Sequence, residues 1–489
     1  MNRRSFLKAA GVSAAAFNIV PSSVRGAPGQ PAPGSKLTVA LIGCGTQGLR
    51  EMPGLLASPE VQVVAVCDPN TYSEGYVDWS RDGLRKSLAA AIGKPDWRAG
   101  EPIPGGREVG AELVDLYYAS KRAGDRFKGC AKYADFRELL EKEKGLDAVK
   151  IMTPDHLHGV ISVAAMKAGK SVLLHKPLAN RLKEARRVIE TAGQTKAATH
   201  FIPSSSGHDV SISAQLIRAG AIGKLLEIHN WSNRPVWPQY PTVPTDTPPV
   251  PKGFDWSLWL GPSLDRPYHP NYTNAVFRGW YEFGGGAIAD MGHYSLWRVF
   301  AEFDLDAPVL VESTPSHVCA LNGCVSFKIR NDYSFPAAST VRFTFAAKGS
   351  RPALDLFWYD GGMRPRTPDE LARENVELPA EGMMFVGEKG AILADFRGEK
   401  PRLFSGDKKV ELPAAQAVNV DWIKAFQGGE PTSGSFLLAG PISEAFNLAA
   451  ISLRLGGKRL LWDSANLKIT NHPEAEKYLT REYRAGWEV

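Results

Sequence analysis

Short apolar runs alternating with longer mixed stretches organise the first part of the chain. Leu37–Ile42, Val61–Cys67, Asp147–Met152 and Ser171–Leu174 are apolar enough to read as strands covered on both faces. Between them, Leu49–Leu56, Asp135–Glu143 and Val160–Ala168 are compatible with helix. This alternation predicts a parallel, doubly wound α/β sheet. Residues 72–134 are too long for one crossover and carry turn signals at Lys94-Pro95 and Pro104-Gly105-Gly106, so they predict an insertion with two helical pieces.

Beyond about Pro203 the pattern changes. Helical stretches Ile212–Ala219 and Ile442–Leu455 accompany strand-like runs at Leu225–Trp231, Thr340–Ala346, Ala353–Trp358 and Asn466–Thr470. The mixture predicts an α+β domain on a mostly antiparallel sheet covered by helices. At 489 residues the chain exceeds one ordinary core and accommodates two, and it shows no internal repeat.

Candidate chemistry lies at the strand ends. The first strand passes directly into Gly43, Cys44, Gly45, Thr46, Gln47 and Gly48, a GxGxxG placed between strand and helix. Gly43 permits the tight turn, Gly45 lets the backbone approach a pyrophosphate, and Gly48 lets helix pack on strand. The second strand ends in Asp68, 25 residues beyond Gly43, where an acid takes ribose hydroxyls and favours NAD over NADP. A 2′-phosphate about 4 Å from Asp68 would be repelled by roughly 1 kcal/mol in water and about 4 kcal/mol at an effective dielectric near 20. The strand Ser171–Leu174 delivers His175 and Lys176 to the carboxyl edge of the sheet, because Pro177 prevents a helix from starting earlier. Ligands of open α/β sheets bind along that edge.

The amino terminus carries a different signal. Arg3 and Arg4, followed by Ser5, Phe6, Leu7, Lys8 and an apolar stretch to Val20 without acidic residues, resemble a Tat export signal. Residues 1–35 are therefore expected to be signal and linker, with cleavage after Gly26, Tat machinery as a partner and a periplasmic or otherwise exported destination. The formal net charge of +6 would fall to +2 on loss of Arg3, Arg4, Lys8 and Arg25, which removes the main support for nucleic-acid binding. No other run reaches membrane-spanning length, so no stable membrane anchor is expected.

Several motifs in order resemble the Gfo/Idh/MocA oxidoreductases, relatives of glucose-fructose oxidoreductase and inositol dehydrogenase. They are the loop GCGTQG, the exit Thr153 to His158 (TPDHLH), the pair Lys176-Pro177, the segment Ile217 to Gly223, and Gly284 to Tyr294 (GGGAIADMGHY). The resemblance implies a Rossmann domain over 36–202, with 72–134 inserted, and a substrate and oligomerisation domain with a large open sheet over 203–489. It further implies a homo-oligomer, dimer or tetramer. NAD would lie on the glycine loop, Asp68, Thr153, Pro154, His158, His175 and Lys176, retained and recycled inside the protein. Lys176, Asp290 and Tyr294 match the family's catalytic positions, acting on a secondary hydroxyl of a sugar, cyclitol or glycoside. His175 replaces the family's usual glutamate. On an α-helix His293 and Tyr294 lie about 60° and 40° to either side of Asp290, so both are candidate proton carriers. Register favours Tyr294 and chemistry at neutral pH favours His293.

Six of the ten histidines fall in segments expected to border the cleft. His156 and His158 follow Asp155 in a spacing tolerable for a metal, but nothing guarantees four convergent ligands, and nicotinamide redox needs none. His156, His158 and His200 are expected instead to hydrogen-bond sugar hydroxyls, with Asp290 beside them. The aromatics between Trp231 and Trp297 are expected to be mostly core, with one or two serving as cleft platforms. Two other functions compete. A glycosidase using transient oxidation, elimination and re-reduction would show no net redox, although Lys176-Pro177 argues against it. A non-catalytic nucleotide-retaining sugar binder would not need Lys176, Asp290 and Tyr294 together.

Overall fold

The computed structural model of the protein describes residues 36–405 and 411–489. The export signal predicted over residues 1–35 lies outside them. Strands β1 (Leu37–Ile42), β2 (Val61–Cys67), β3 (Ala131–Tyr133), β4 (Ala148–Ile151), β5 (Ser171–Leu174) and β6 (Thr199–Phe201) form one sheet in the order β3-β2-β1-β4-β5-β6. Every neighbouring pair is parallel. The chain order reverses between β1 and β4, which opens a crevice at their carboxyl ends. Crossover helices lie over the sheet, and that at Leu182–Thr195 buries Leu182, Ala185, Val188 and Ala192 along one stripe.

The inserted segment holds the two predicted helices, Gly83–Ile92 and Arg107–Lys121. Leu88, Ile92, Val109 and Val114 pack with Leu49 and Met52 in one cluster. One expectation is corrected here. Ala131–Tyr133 was expected inside the insertion but is the edge strand, with Ala65 opposite Ala131 and Cys67 opposite Tyr133. Three residues of mixed character carry no readable period; the open edge of β2 gives them their conformation.

The second domain is built on nine strands. They are β7 (Leu225–Trp231), β8 (Leu310–Pro315), β11 (Ser339–Phe345), β12 (Leu354–Tyr359), β13 (Gly382–Gly387), β14 (Gly390–Ala394), β15 (Arg402–Ser405), β16 (Leu460–Asp463) and β17 (Lys468–Ile469), while β9 (Cys319–Asn322) and β10 (Val325–Lys328) make a separate hairpin. In the order β15-β14-β13-β7-β12-β11-β8-β16-β17 only the β7–β12 pair is parallel. Burial alternates along β11 and β12, with Val341, Phe343, Leu356 and Trp358 inward. Helices His293–Glu302 and Gly440–Arg454 cover that face, joining Leu296, Phe300 and Phe446 to the same core as Val172, Leu174 and Phe201 of the first sheet. One continuous core thus fixes both walls of the crevice.

Candidate active site

The crevice begins at the glycine loop. Gly43 sits at φ +100°, and a Cβ there would come within 2.6 Å of the Met152 carbonyl carbon at the end of β4. A Cβ on Gly48 would meet the Gly43 oxygen at 2.0 Å. Gly48 therefore supports the loop from behind, while Gly43, Gly45, Thr46 and Gln47 line the cleft. The helix Thr46–Ala57 starts with no side-chain cap and no acid in its first turn, leaving its N-terminal N–H groups and positive dipole end for an anion. At the end of β2, Asp68 accepts hydrogen bonds from the Cys44 N–H at 2.7 Å and the Asn70 N–H at 2.8 Å. Burial raises its carboxyl to about 6 against those two donors. These features fit a dinucleotide: a loop open only to glycine, a free helix terminus for the pyrophosphate and an acid for the ribose.

Residues from the inserted segment and the second domain close the remaining walls. Glu74 and Tyr76 line the cleft together with Pro251, Phe254, Tyr268 and Asn274. Thr71 N–H donates to the Gly253 carbonyl at 2.9 Å, and the Asn274 amide donates to the Gly75 carbonyl.

The reacting end lies at the exits of β4 and β5. Lys176 is 4% exposed and its ammonium donates to Asp290 Oδ1; Arg278 Nε donates to the same oxygen at 2.9 Å. Asp290 stands in a π-helical turn, Ile288–Gly292, preceding the helix His293–Glu302. Burial opposes its charge, but Lys176 and Arg278 outweigh burial and hold the carboxyl at about 2. Burial and Arg278 in turn pull the Lys176 ammonium below the ordinary lysine value, against Asp290 and Asp155. His175 also lines the cleft and shares a hydrogen bond between its Nε2 and the Tyr294 hydroxyl. Burial and the nearby Lys176 push His175 well below the usual histidine value, so it is neutral. Burial raises the Tyr294 phenol.

Four expected histidines are placed elsewhere. His156 is fully buried, its ring nitrogens 2.8 Å from the Trp259 carbonyl and 3.3 Å from the Phe283 carbonyl, and it does not line the cleft. His158 lies behind Thr153 and Pro177, 3.0 Å and 2.6 Å from their carbonyls, where it ties the two strand exits together and does not line the cleft. His200 bonds the Thr432 hydroxyl at 2.7 Å in a groove bordered by Glu51 and Lys150, away from the cleft. His293 bonds the Ala289 carbonyl at 2.9 Å and packs edge-on against Phe201 and Phe446. Burial holds it at about 3. The ideal-helix geometry that made His293 a proton carrier fails because the π-helical turn changes the register after Asp290.

Thr153, Pro154, His175 and Lys176 stand where the sequence put them. Arg278 and Asp155 were not anticipated as site residues. Arg278 comes from a short 3₁₀ helix, Asn274–Gly279, whose sequence has no motif. Asp155 sits in the TPDHLH exit, so its position in the motif was available as a signal. Trp259 and Tyr268 are the tryptophan and tyrosine of the aromatic segment that line the cleft.

Two consecutive family models match this chain. The NAD-binding Rossmann fold of the Gfo/Idh/MocA oxidoreductase family matches residues 103–201, and its C-terminal alpha/beta domain matches 222–329. Over these residues the chain is similar to this family, and its first domain is an NAD-binding domain. Among curated relatives, a glycosyl hydrolase family 109 protein of Stenotrophomonas maltophilia is 27% identical over 47% of this chain and 41% of its own length. A 1,5-anhydro-D-fructose reductase of Ensifer adhaerens is 32% identical over 24% of this chain and 37% of its own. A levoglucosan dehydrogenase of Pseudarthrobacter phenanthrenivorans is 30% identical over 21% and 27%. The matches thus span less than half the length of these relatives. Among solved structures, the WlbA dehydrogenase from Chromobacterium violaceum, in complex with NADH and UDP-GlcNAcA, has a TM-score of 0.50 at 15% identity. It covers 87% of this chain and 95% of that one, a likeness of fold.

Proposed function

We propose that this protein is an NAD-dependent oxidoreductase acting on a secondary hydroxyl of a sugar, cyclitol or glycoside. The observation that carries the reading is Lys176, a buried ammonium at the end of β5 that lines the dinucleotide cleft and is held by Asp290. Gly43, Gly45, Thr46, Gln47, Asp68, Thr153 and Pro154 would hold the dinucleotide, which when bound supplies the two-electron acceptor or donor. Lys176 would donate to the reacting oxygen and stabilise charge as it develops there. Asp290 fixes the ammonium in place, and Arg278 keeps Asp290 ionised. The activities of the reductase and dehydrogenase relatives support carbohydrate as the substrate class.

Export by the Tat pathway belongs to the same proposal. Tat transport moves folded proteins, which suits a chain that must acquire a cytoplasmic nucleotide first and keep it. The half-exposed face of the nine-stranded sheet, with the Arg342–Asp355 pair on it, is the surface proposed for self-association. The glycosyl hydrolase family 109 relatives favour one second reading, glycoside cleavage without net redox. Mass spectrometry of the purified protein for bound nucleotide, followed by a sugar screen at the reduced-nicotinamide absorbance, separates the two. Absorbance change is expected; product without it would favour cleavage, and neither would reject both.

A further inference from the structure

The cleft needs a group to take the proton of the substrate hydroxyl, and most of its ionisable groups are already committed. Asp290 takes both Lys176 and Arg278 on Oδ1, does not line the cleft, and is a poor base at about 2. His175 has its Nε2 engaged by Tyr294 and faces three cations, Lys176, Arg278 and Lys150. The Tyr294 hydroxyl is turned to His175, and His293 is packed in the core. Asp155 is different. Its Oδ2 accepts the Gly285 N–H at 3.0 Å, which anchors the carboxylate, whereas Oδ1 has no hydrogen-bond donor among the described residues. Asp155 lines the cleft beside Lys176, Arg278 and Trp259.

We propose that Asp155 is the proton acceptor of the reaction, a catalytic residue contributed by the exit of β4. This rests on the oxidoreductase reading above. In the oxidation direction the O–H bond breaks and its proton passes to Asp155 Oδ1. The C–H bond would give up its hydrogen with the electron pair to the dinucleotide when it is bound, and the C=O bond would form beside the Lys176 ammonium. Nothing is left unbalanced, since the nicotinamide dinucleotide is the oxidant. Reduction runs the same path backwards from protonated Asp155.

The electrostatics suit the task. Burial raises the Asp155 carboxyl to about 6. Arg278 from the 3₁₀ helix Asn274–Gly279, Lys176 from the end of β5 and the Gly285 N–H lower it, and Asp290 in the π-helical turn raises it. A carboxylate so placed is ionised at neutral pH yet basic enough to accept a proton in the transition state. The ionised form is the active one for oxidation, so the rate falls as pH drops through about 6.

Asp155→Asn keeps an acceptor for Gly285 and removes the titrating group. The panel is D-glucose, levoglucosan, methyl α-D-glucopyranoside and myo-inositol, and the sugar oxidised fastest by the unmutated protein is used. Asp155→Asn is expected to lower kcat about 100-fold with little change in KM, and to remove the acidic limb of the pH profile. Added formate should restore part of the activity of Asp155→Ala. Without any sugar, the infrared difference between unmutated protein and Asp155→Asn should show one carboxyl titrating near pH 6; bound nucleotide in both variants reports intact folding. A rate within threefold of unmutated protein with the acidic limb retained overturns the assignment to Asp155 and leaves the oxidoreductase reading standing if Lys176→Ala is inactive. A protein that holds nucleotide but oxidises none of the panel overturns the oxidoreductase reading, and the assignment with it.

Discussion

Asp290 and Asp155 answer the same two cations, Lys176 and Arg278, in opposite ways. At Asp290 both cations donate to one carboxylate oxygen, and the group stays ionised down to about 2. At Asp155 the cations act only through space, the one hydrogen bond comes from Gly285, and burial takes the group up to about 6. The difference is on the order of 5 kcal/mol between protonation states. Direct charge-assisted bonds thus outweigh desolvation, while charge at longer range does not. The first arrangement makes a fixed counter-ion; the second makes a group able to exchange a proton.

Removing the shared cation should have the largest effect. Lys176→Ala is expected to lower kcat by about 10³-fold, because the donor to the developing negative charge is lost, while bound nucleotide measured by mass spectrometry is retained. Unchanged turnover would remove the catalytic role of Lys176. Asp290→Asn comes next. It leaves Lys176 and Arg278 buried without their partner, so a loss of about 3 to 5 kcal/mol in unfolding free energy is expected together with an approximately 100-fold fall in kcat. Denaturant unfolding and steady-state kinetics measure the two losses separately.

At the far end of the cleft, Asp68→Ala should narrow the preference for NAD over NADP by about tenfold, within the 1 to 4 kcal/mol of like-charge repulsion. Equal use of both nucleotides by the unmutated protein would contradict the role of Asp68. Tyr294→Phe should slow turnover only a few-fold, since the hydroxyl serves His175, and His293→Gln should leave the pH profile of kcat in place. A lost limb in His293→Gln would restore it as a proton carrier.

The smallest effect concerns stability and pH. His156, His158, His200 and His293 are held at about 3 to 4, chiefly by burial, so the unfolded chain binds their protons first as pH falls below 6.5. Their stabilisation is complete above 6.5 and is lost as pH falls towards 3 to 4. Asp68, Asp155 and Asp360 work against this: raised to about 6, they bind protons first in the folded state and add stability as pH falls from 6 to 3.8. A shallow decline in melting temperature between pH 6.5 and 4 is expected, and Asp155→Asn should steepen it. A decline no steeper in that variant would count against the raised carboxyl.

The Rossmann half was legible wherever pattern and chemistry coincided. The limits of β1, β2 and β5 follow from uninterrupted apolar runs, and the glycine loop from residues whose side chains would collide with Met152 and Gly43. β3 and Arg278 were not legible, because a three-residue edge strand and a six-residue 3₁₀ helix are too short to show a period. The histidines misled for a physical reason. Residues adjacent in a motif can point to opposite sides of the chain, so the TPDHLH segment sends Asp155 to the cleft and turns His156 and His158 into the core.

By itself the sequence determined the alternating sheet, the nucleotide cradle and the placement of Lys176 at a strand end, all of which depend on local pattern and on residues close together in the chain. Only the tertiary structure decided which ionisable groups meet. The π-helical turn brings Asp290 to a lysine 114 positions away and buries His293, and Arg278 arrives from a short 3₁₀ helix. Charge state follows from those long-range contacts and from burial, neither of which is encoded in the spacing of residues along the chain.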